Sequence, residues 1–244
     1  KKRMANIELL RIVSMMMVVM LHYLGKGGLL PETTGAMTVN GYVAWGMESL
    51  CIVAVNVYML ISGYFLVESG FKGRRILELL CQVLFYTILV PLVLILVGVL
   101  PASIFNIYHI LQTVLPVQME HYWFITAYVI MYLLSPVLSV AAKSMSKEQL
   151  RGTIIALLLF FAVSKSILPF ELAIDKQGYD GLWFVCVFLV AAYMRLYGIP
   201  FFTNGGKGRR GILCYLAGCA GVYGLMLLVR LVYLKTGSLD HFID

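Results

Sequence analysis

Three ionisable side chains, Glu8, Arg11 and His22, interrupt the first long apolar run of this 244-residue chain. Such groups are costly to place in a lipid interior and by default mark a functional position. Eleven residues separate Arg11 from His22; on a helix that puts them about 20° apart in azimuth and roughly 16 Å apart along the axis, on one stripe. Glu8 stands three residues before Arg11, where an ion pair lowers the cost of burying the guanidinium. A neutral imidazole can take a proton near neutral pH. A guanidinium binds phosphate or carboxylate through a planar fork of N–H donors. The competing account is plainer: Glu8 and Arg11 snorkel to the interface, and His22 only hydrogen-bonds a neighbour.

Further groups with chemical potential sit at the ends of later apolar runs. The second run closes on Ile61-Ser62-Gly63-Tyr64-Phe65 and is followed by Lys72-Gly73-Arg74-Arg75; the fourth opens with His121-Tyr122-Trp123-Phe124 and continues through Tyr128 and Tyr132 to Ser135-Pro136. Arg74 and Arg75 read equally as anion ligands and as ordinary anchors at a membrane surface, and Tyr122 and Trp123 as flat platforms for a sugar ring or as an interfacial aromatic belt. Glu48, Asn56 and Arg230 add polar groups to apolar segments without a distinctive motif, and Gly218, Gly221 and Gly224 form a small-residue stripe suited to helix packing. The five cysteines form no Cys-x-x-Cys pair and have no histidine at ligand spacing; they read as packing residues, with no metal site expected.

The elements that must hold these residues follow from composition. Apolar residues make up 61% of the chain and charged residues 13%, against roughly a quarter charged in soluble proteins, and the mean hydropathy is +0.90. Lipid is the solvent such a chain requires. A backbone in lipid must satisfy its own hydrogen bonds, and the sequence lacks the alternating strands of a barrel, so the expected fold is all-α, a polytopic transmembrane helical bundle. Windows of about 19 residues yield seven spans: Ile7 to Leu24, Val43 to Leu66, Ile76 to Leu100, Tyr122 to Ala142, Thr153 to Leu168, Gly181 to Tyr197 and Gly211 to Leu234. The first is a span and not a cleaved leader, since it holds Arg11 and His22 and no A-x-A site follows. Residues 1–244 read as a single integral-membrane domain.

Basic residues fall into alternate loops. Lys1, Lys2, Arg3, Lys72, Arg74, Arg75, Lys143, Lys147, Arg151, Arg195, Lys207, Arg209 and Arg210 lie on one side, and Lys26, Lys165, Lys176 and Lys235 on the other. The positive-inside bias therefore puts the N-terminus in the cytoplasm. The same short clusters argue against nucleic acid as the partner of the net charge of +7. Between Pro101 and Pro116, Ile104, Ile107, Tyr108, Leu111 and Leu115 recur at helical spacing, as in a helix lying on the outer surface. Pro91 and Pro136 fall within spans and predict kinks.

Taken in order, Asn6-Ile7-Glu8-Leu9-Leu10-Arg11 with His22, then Ser62-Gly63-Tyr64 with its basic loop, then His121-Tyr122-Trp123-Phe124 resemble the motifs of the membrane-bound acyltransferase 3 family. The resemblance covers essentially the whole chain, with the sixth and seventh spans similar only in general character. Members usually have more transmembrane helices, so it implies that this stretch lacks the last helices of the family fold. It implies transfer of an acyl group, commonly acetyl from acetyl-CoA, to a hydroxyl of a cell-surface polysaccharide or other envelope glycan, in a bacterial plasma membrane, with no permanently bound cofactor. Carried onto this sequence, the resemblance gives Arg11, Arg74, Arg75, Ser62 and Tyr64 to the acyl-CoA donor and Tyr122 and Trp123 to the acceptor. His22 becomes the general base or a covalent acyl relay, supported by Glu8, Arg11 and His121. Two rival readings use the same polar groups: a transporter, which predicts flux without an ester product, and a sensing or substrate-supplying membrane module of a larger protein.

Overall fold

The computed structural model describes residues 4–32, 35–101, 103, 106–117, 119, 122–163, 180–203 and 208–237. The described residues form helices and no strand: α1 (Ala5–Lys26), α2 (Val39–Cys51), α3 (Ala54–Ser69), α4 (Gly73–Leu96), α5 (Ile107–Val114), α6 (Trp123–Ser144), α7 (Lys147–Leu158) running into a π-helical turn (Leu159–Val163), α8 (Gly181–Tyr197), the short α9 (Pro200–Thr203) and α10 (Arg209–Thr236).

Five stretches are long and apolar enough to cross a bilayer: Ala5–Lys26, Val39–Ser69, Gly73–Leu96, Trp123–Ser144 and Arg209–Thr236. They coincide with five of the seven spans read from the sequence. Gly181–Tyr197 is also apolar but shorter, and the Thr153–Leu168 segment continues beyond the described residues after Val163. The apolar side chains point outward as much as inward. Only 6% of the most apolar window of α4 is buried, with Leu77, Phe85, Ile88, Leu92 and Leu96 exposed. A water-soluble bundle hides such residues; here they form the surface that lipid covers. The all-α membrane bundle expected from composition is the fold observed.

Local chemistry explains where the helices begin, end and bend. Gly28 takes the left-handed conformation (φ 68°) just past α1, and the N–H groups of Leu29 and Leu30 donate back to the Leu24 carbonyl at 3.0 and 3.3 Å, closing the helix end. The Thr38 hydroxyl accepts from Gly41 N–H at the start of α2, Asn106 caps α5 through His109 N–H, and Ser146 with Gln149 forms a reciprocal capping box on α7. The expected second span is two helices rather than one, with a turn at Ile52–Val53. Helical bonding resumes at once, since Ile52 N–H donates to Glu48 and Val57 N–H to Val53, both at 2.9 Å. In α6 the ring of Pro136 removes the donor for the Tyr132 carbonyl; the Ser135 hydroxyl takes its place at 2.7 Å.

The chain divides into two compact units, Lys1–Ser62 with Ser166–Phe170 and Tyr193–Asp244, and Gly63–Lys165 with Glu171–Ala192. In the first, α1 packs on α2 and α2 on α10. The α2–α10 seam is antiparallel, because Tyr215 donates to the Leu50 carbonyl (2.6 Å), Tyr223 to Tyr42 (3.2 Å) and Arg230 to Gly35 (2.9 Å), pairing rising with falling numbers. In the second unit, α6 and α8 share an aromatic seam: Phe184 lies edge-on to Trp123 and Phe124, with ring centroids 6.1 and 5.7 Å away. Buried Tyr132 accepts from Lys72 N–H at 3.0 Å and donates to Lys72 C=O at 3.2 Å, fixing the turn between α3 and α4.

Gly63 marks the tightest approach of α3 to α8. A Cβ there would lie 2.9 Å from Ala191 Cβ and 3.3 Å from Phe188 Cα. Gly63→Ala is therefore expected to destabilise the bundle by about 1–3 kcal/mol through overpacking, read as a lowered thermal midpoint in detergent. Gly152→Ala is the control, because a Cβ at Gly152 meets nothing within 4 Å. The Gly218, Gly221 and Gly224 stripe likewise meets nothing within 4 Å among the described residues, so the close packing expected there is found at Gly63 instead.

Candidate active site

One face of α1 packs inward, and of the ionisable stripe Arg11 is half-buried at its margin while Glu8 and His22 are exposed. Ile7, Arg11, Ser14, Val18 and Leu21 occupy one face and are buried or half-buried, whereas Leu9, Ile12, Met16 and Val19 on the far side are exposed. Ser14 lies at the centre of the packed face, 1% exposed, its hydroxyl turned back onto the Leu10 carbonyl at 2.8 Å. Arg11 stands at the margin of that face with its side chain 35% exposed, and a single amine, Nη1, donates to both Glu8 oxygens at 2.9 and 3.1 Å. The pair expected from the i,i+3 spacing is thus present, and it engages one of the three guanidinium nitrogens.

His22 lies three turns farther along the same edge and is exposed. Its Nδ1 is 2.8 Å from the Val18 carbonyl oxygen. A carbonyl can only accept, so Nδ1 carries the proton, and the tautomer this selects for a neutral ring has its lone pair at Nε2. A backbone bond to the preceding turn thereby orients the imidazole and selects the tautomer a base or nucleophile needs.

The remaining sequence-predicted residues are placed as follows. Ser62 is half-buried, its hydroxyl donating to Tyr58 C=O at 3.1 Å within α3, and half-buried Tyr64 sets its ring edge-on to Phe65. Arg74 is 88% exposed and paired to Glu78 at 2.7 Å; Arg75 is exposed beside it. An exposed pair of this kind contributes little stability. Tyr122 is the exposed N-cap of α6, and half-buried Trp123 packs its ring against Phe124 and Phe184. His121 lies outside the described residues. Glu8, Arg11, His22 and Ser62 belong to the first unit, and Tyr64, Arg74, Arg75, Tyr122 and Trp123 to the second. Among the described residues no group of three or more His, Cys, Asp or Glu is disposed to hold a metal ion.

Outward apolar helices, the first of them carrying ionisable side chains, define the class, an integral-membrane helical protein. Residues 4–240 match the acyltransferase domain of the acyltransferase 3 family. The chain belongs to that family and is a membrane acyltransferase. No curated protein and no solved structure matches it.

Three features carry signals that sequence motifs do not. Arg230 is 7% exposed and bonded to the loop that follows α1; its presence in an apolar helix is legible, but its partner, 195 residues away, is not. Trp45 donates its indole N–H to the Pro31 carbonyl at 3.1 Å. One carboxylate oxygen of Glu48 and Nδ1 of His109 are buried without a hydrogen-bond partner among the described residues.

Proposed function

We propose that this acyltransferase moves an acyl group, acetyl in the simplest case, from cytoplasmic acyl-CoA to a hydroxyl of an envelope glycan on the opposite face of the membrane. The observation that carries the reading is the His22 ring, its Nδ1 bonded to the Val18 carbonyl, on the same helical edge as an arginine of which Glu8 engages only Nη1. In the reaction the acceptor oxygen attacks the thioester carbonyl and its proton passes to Nε2. The carbon–oxygen bond forms, the carbon–sulfur bond breaks, and the CoA thiolate leaves and takes up a proton. In a relay version of the same chemistry Nε2 attacks first, and the acylimidazole passes its acyl group to the hydroxyl.

Charge supports the assignment of sides. Arg11, Arg74 and Arg75 stand near the basic, cytoplasmic ends of their spans, where the phosphates of CoA are available and an arginine fork grips them. His22 stands roughly 16 Å farther along α1, toward the outer face. The scheme gives Ser62 and Tyr64 to the donor and Tyr122, Trp123 and His121 to the acceptor.

Sidedness is testable in sealed vesicles holding the protein in one orientation. Radiolabelled acetyl-CoA supplied on the side of the N-terminus should label oligosaccharides, released from the host envelope, on the opposite side; donor on the other side should give none. Equal labelling from both sides would overturn the arrangement of donor and acceptor, and no labelling from either would overturn the proposed acceptor class.

A further inference from the structure

The turn from α3 leads directly into the first turn of α4, where Arg74 and Arg75 stand, and it is fastened by a residue of α6, 60 positions farther along the chain. The link is only Gly70, Phe71 and Lys72, with Gly70 in the left-handed conformation (φ 70°). Lys72 is the N-cap of α4 and its side chain makes no capping hydrogen bond, since an ammonium group has no acceptor to offer. The Tyr132 hydroxyl supplies the missing hold. It accepts from Lys72 N–H at 3.0 Å and donates to Lys72 C=O at 3.2 Å, and the same carbonyl receives the N–H of Arg75 at 3.0 Å. One hydroxyl thus meets both backbone groups of the residue on which α4 closes its first turn. The ring that carries it has little freedom: Tyr132 is 1% exposed, stacked on Tyr128 with ring centroids 6.0 Å apart and tilted against Phe71 at 5.3 Å. All of these residues belong to the second unit.

From this we infer that Tyr132 is a positioning residue for the donor: by holding Lys72 it fixes the first turn of α4, the base from which Arg75 reaches the phosphates of acyl-CoA. The inference rests on the reading that Arg75 grips those phosphates. Arg75 is the arginine concerned, because Arg74 Nε is already paired with Glu78 at 2.7 Å, whereas the N–H of Arg75 closes on the carbonyl that Tyr132 holds. The physical basis is preorganisation, since a backbone fixed before binding spares the ligand the entropy of ordering it. The positive end of α4 is ordered along with the arginine, and that end favours the same anion. Tyr132 is buried and its hydroxyl is engaged with the backbone, so its effect on the donor passes through Arg75.

The test measures equilibrium binding of radiolabelled acetyl-CoA to the full chain in vesicles, without acceptor, for Tyr132→Phe, Arg75→Gln and the double variant. Tyr132→Phe keeps the ring and its packing and removes only the hydroxyl. Arg75→Gln should weaken binding about tenfold, the low end for a hydrogen bond to a charged group. Tyr132→Phe should weaken it about three- to fivefold, and adding it to Arg75→Gln should cost less than about twofold more, as expected of a residue that acts through the arginine. Thr87→Val removes another buried hydroxyl from the same unit and should bind as the wild type does. The number of sites per protein should be the same throughout. Wild-type affinity in Tyr132→Phe, multiplied penalties in the double variant or an equal loss in Thr87→Val would overturn the inference and leave the donor role of Arg75 standing. So would fewer sites of unchanged affinity in Tyr132→Phe, the mark of a merely structural role. Wild-type affinity in Arg75→Gln would contradict the donor role of Arg75 and the inference with it, and absence of binding by the wild type would contradict acyl-CoA as the donor.

Discussion

His22→Ala is expected to lower the rate of acyl transfer by about 10²–10⁴-fold, the usual contribution of a positioned general base. Half-saturation by acyl-CoA should hardly move, because in the proposed reaction the imidazole meets the reacting hydroxyl and not the nucleotide. The size of the effect follows from the bond between Nδ1 and the Val18 carbonyl. A free imidazole in water divides itself between tautomers and rotamers, whereas the Val18 carbonyl holds this ring by its Nδ1–H, which in the neutral form leaves the lone pair at Nε2. Neither property survives in an alanine or glutamine side chain. His22→Gln therefore distinguishes a chemical role from a packing role, since it retains polarity and length but cannot take up the proton. Exposure of the side chain makes collapse of the fold an unsuitable explanation for the loss. Rapid quenching separates the two versions of the chemistry: label from acetyl-CoA trapped on the protein, and absent from His22→Ala, identifies the relay, and no trapped label identifies the base.

Arg11→Gln is expected to act on the other substrate. A hydrogen bond between a charged donor and a phosphate contributes about 1.5–3 kcal/mol, so half-saturation by acetyl-CoA should rise about 10- to 100-fold. The acceptor curve should stay in place. Arg11→Lys should recover little, because an ammonium group offers a point charge and not the planar fork that engages two oxygens. The Glu8 contact sharpens the expectation. Both carboxylate oxygens are held by Nη1 alone, so Glu8 orients the guanidinium while its remaining N–H groups stay available. A half-buried position, with the side chain 35% exposed, keeps those groups within reach of a ligand and lowers the competing solvation that weakens surface pairs. Titration with acetyl-CoA and with desphospho analogues checks the assignment: the Arg11→Gln penalty should largely vanish for the donor that lacks the phosphate.

Much of this organisation was legible in the sequence because lipid imposes simple rules. Apolar length marked Ala5–Lys26, Gly73–Leu96, Trp123–Ser144 and Arg209–Thr236, and i,i+3 spacing anticipated the Glu8–Arg11 pair. The ordered motifs led to the family that the match over residues 4–240 establishes. Other features depend on contacts between segments remote in sequence. The turn at Ile52–Val53 lies within an unbroken apolar run, so hydropathy carries no sign of it. Gly63 and Gly218 are the same residue in similar apolar surroundings, yet only Gly63 has Ala191 and Phe188 against it. Arg230 advertises a polar requirement, but the carbonyl that meets it belongs to Gly35. Nothing local to α10 names that partner. The orientation of His22 is a similar case: spacing puts the ring on the stripe, and only the position of the Val18 oxygen fixes which nitrogen donates to it.

The central claim is that the imidazole and guanidinium on one edge of α1 carry out acyl transfer. It is tested most directly by the ester content of envelope glycans from cells lacking the gene and supplied with the full-length wild-type, His22→Ala or Arg11→Gln form, at matched amounts of protein in the membrane. The account predicts base-labile acyl esters restored by the wild type alone, with Arg11→Gln partly rescued by raised acyl-CoA and His22→Ala not rescued at all. Wild-type ester levels in both variants would contradict it.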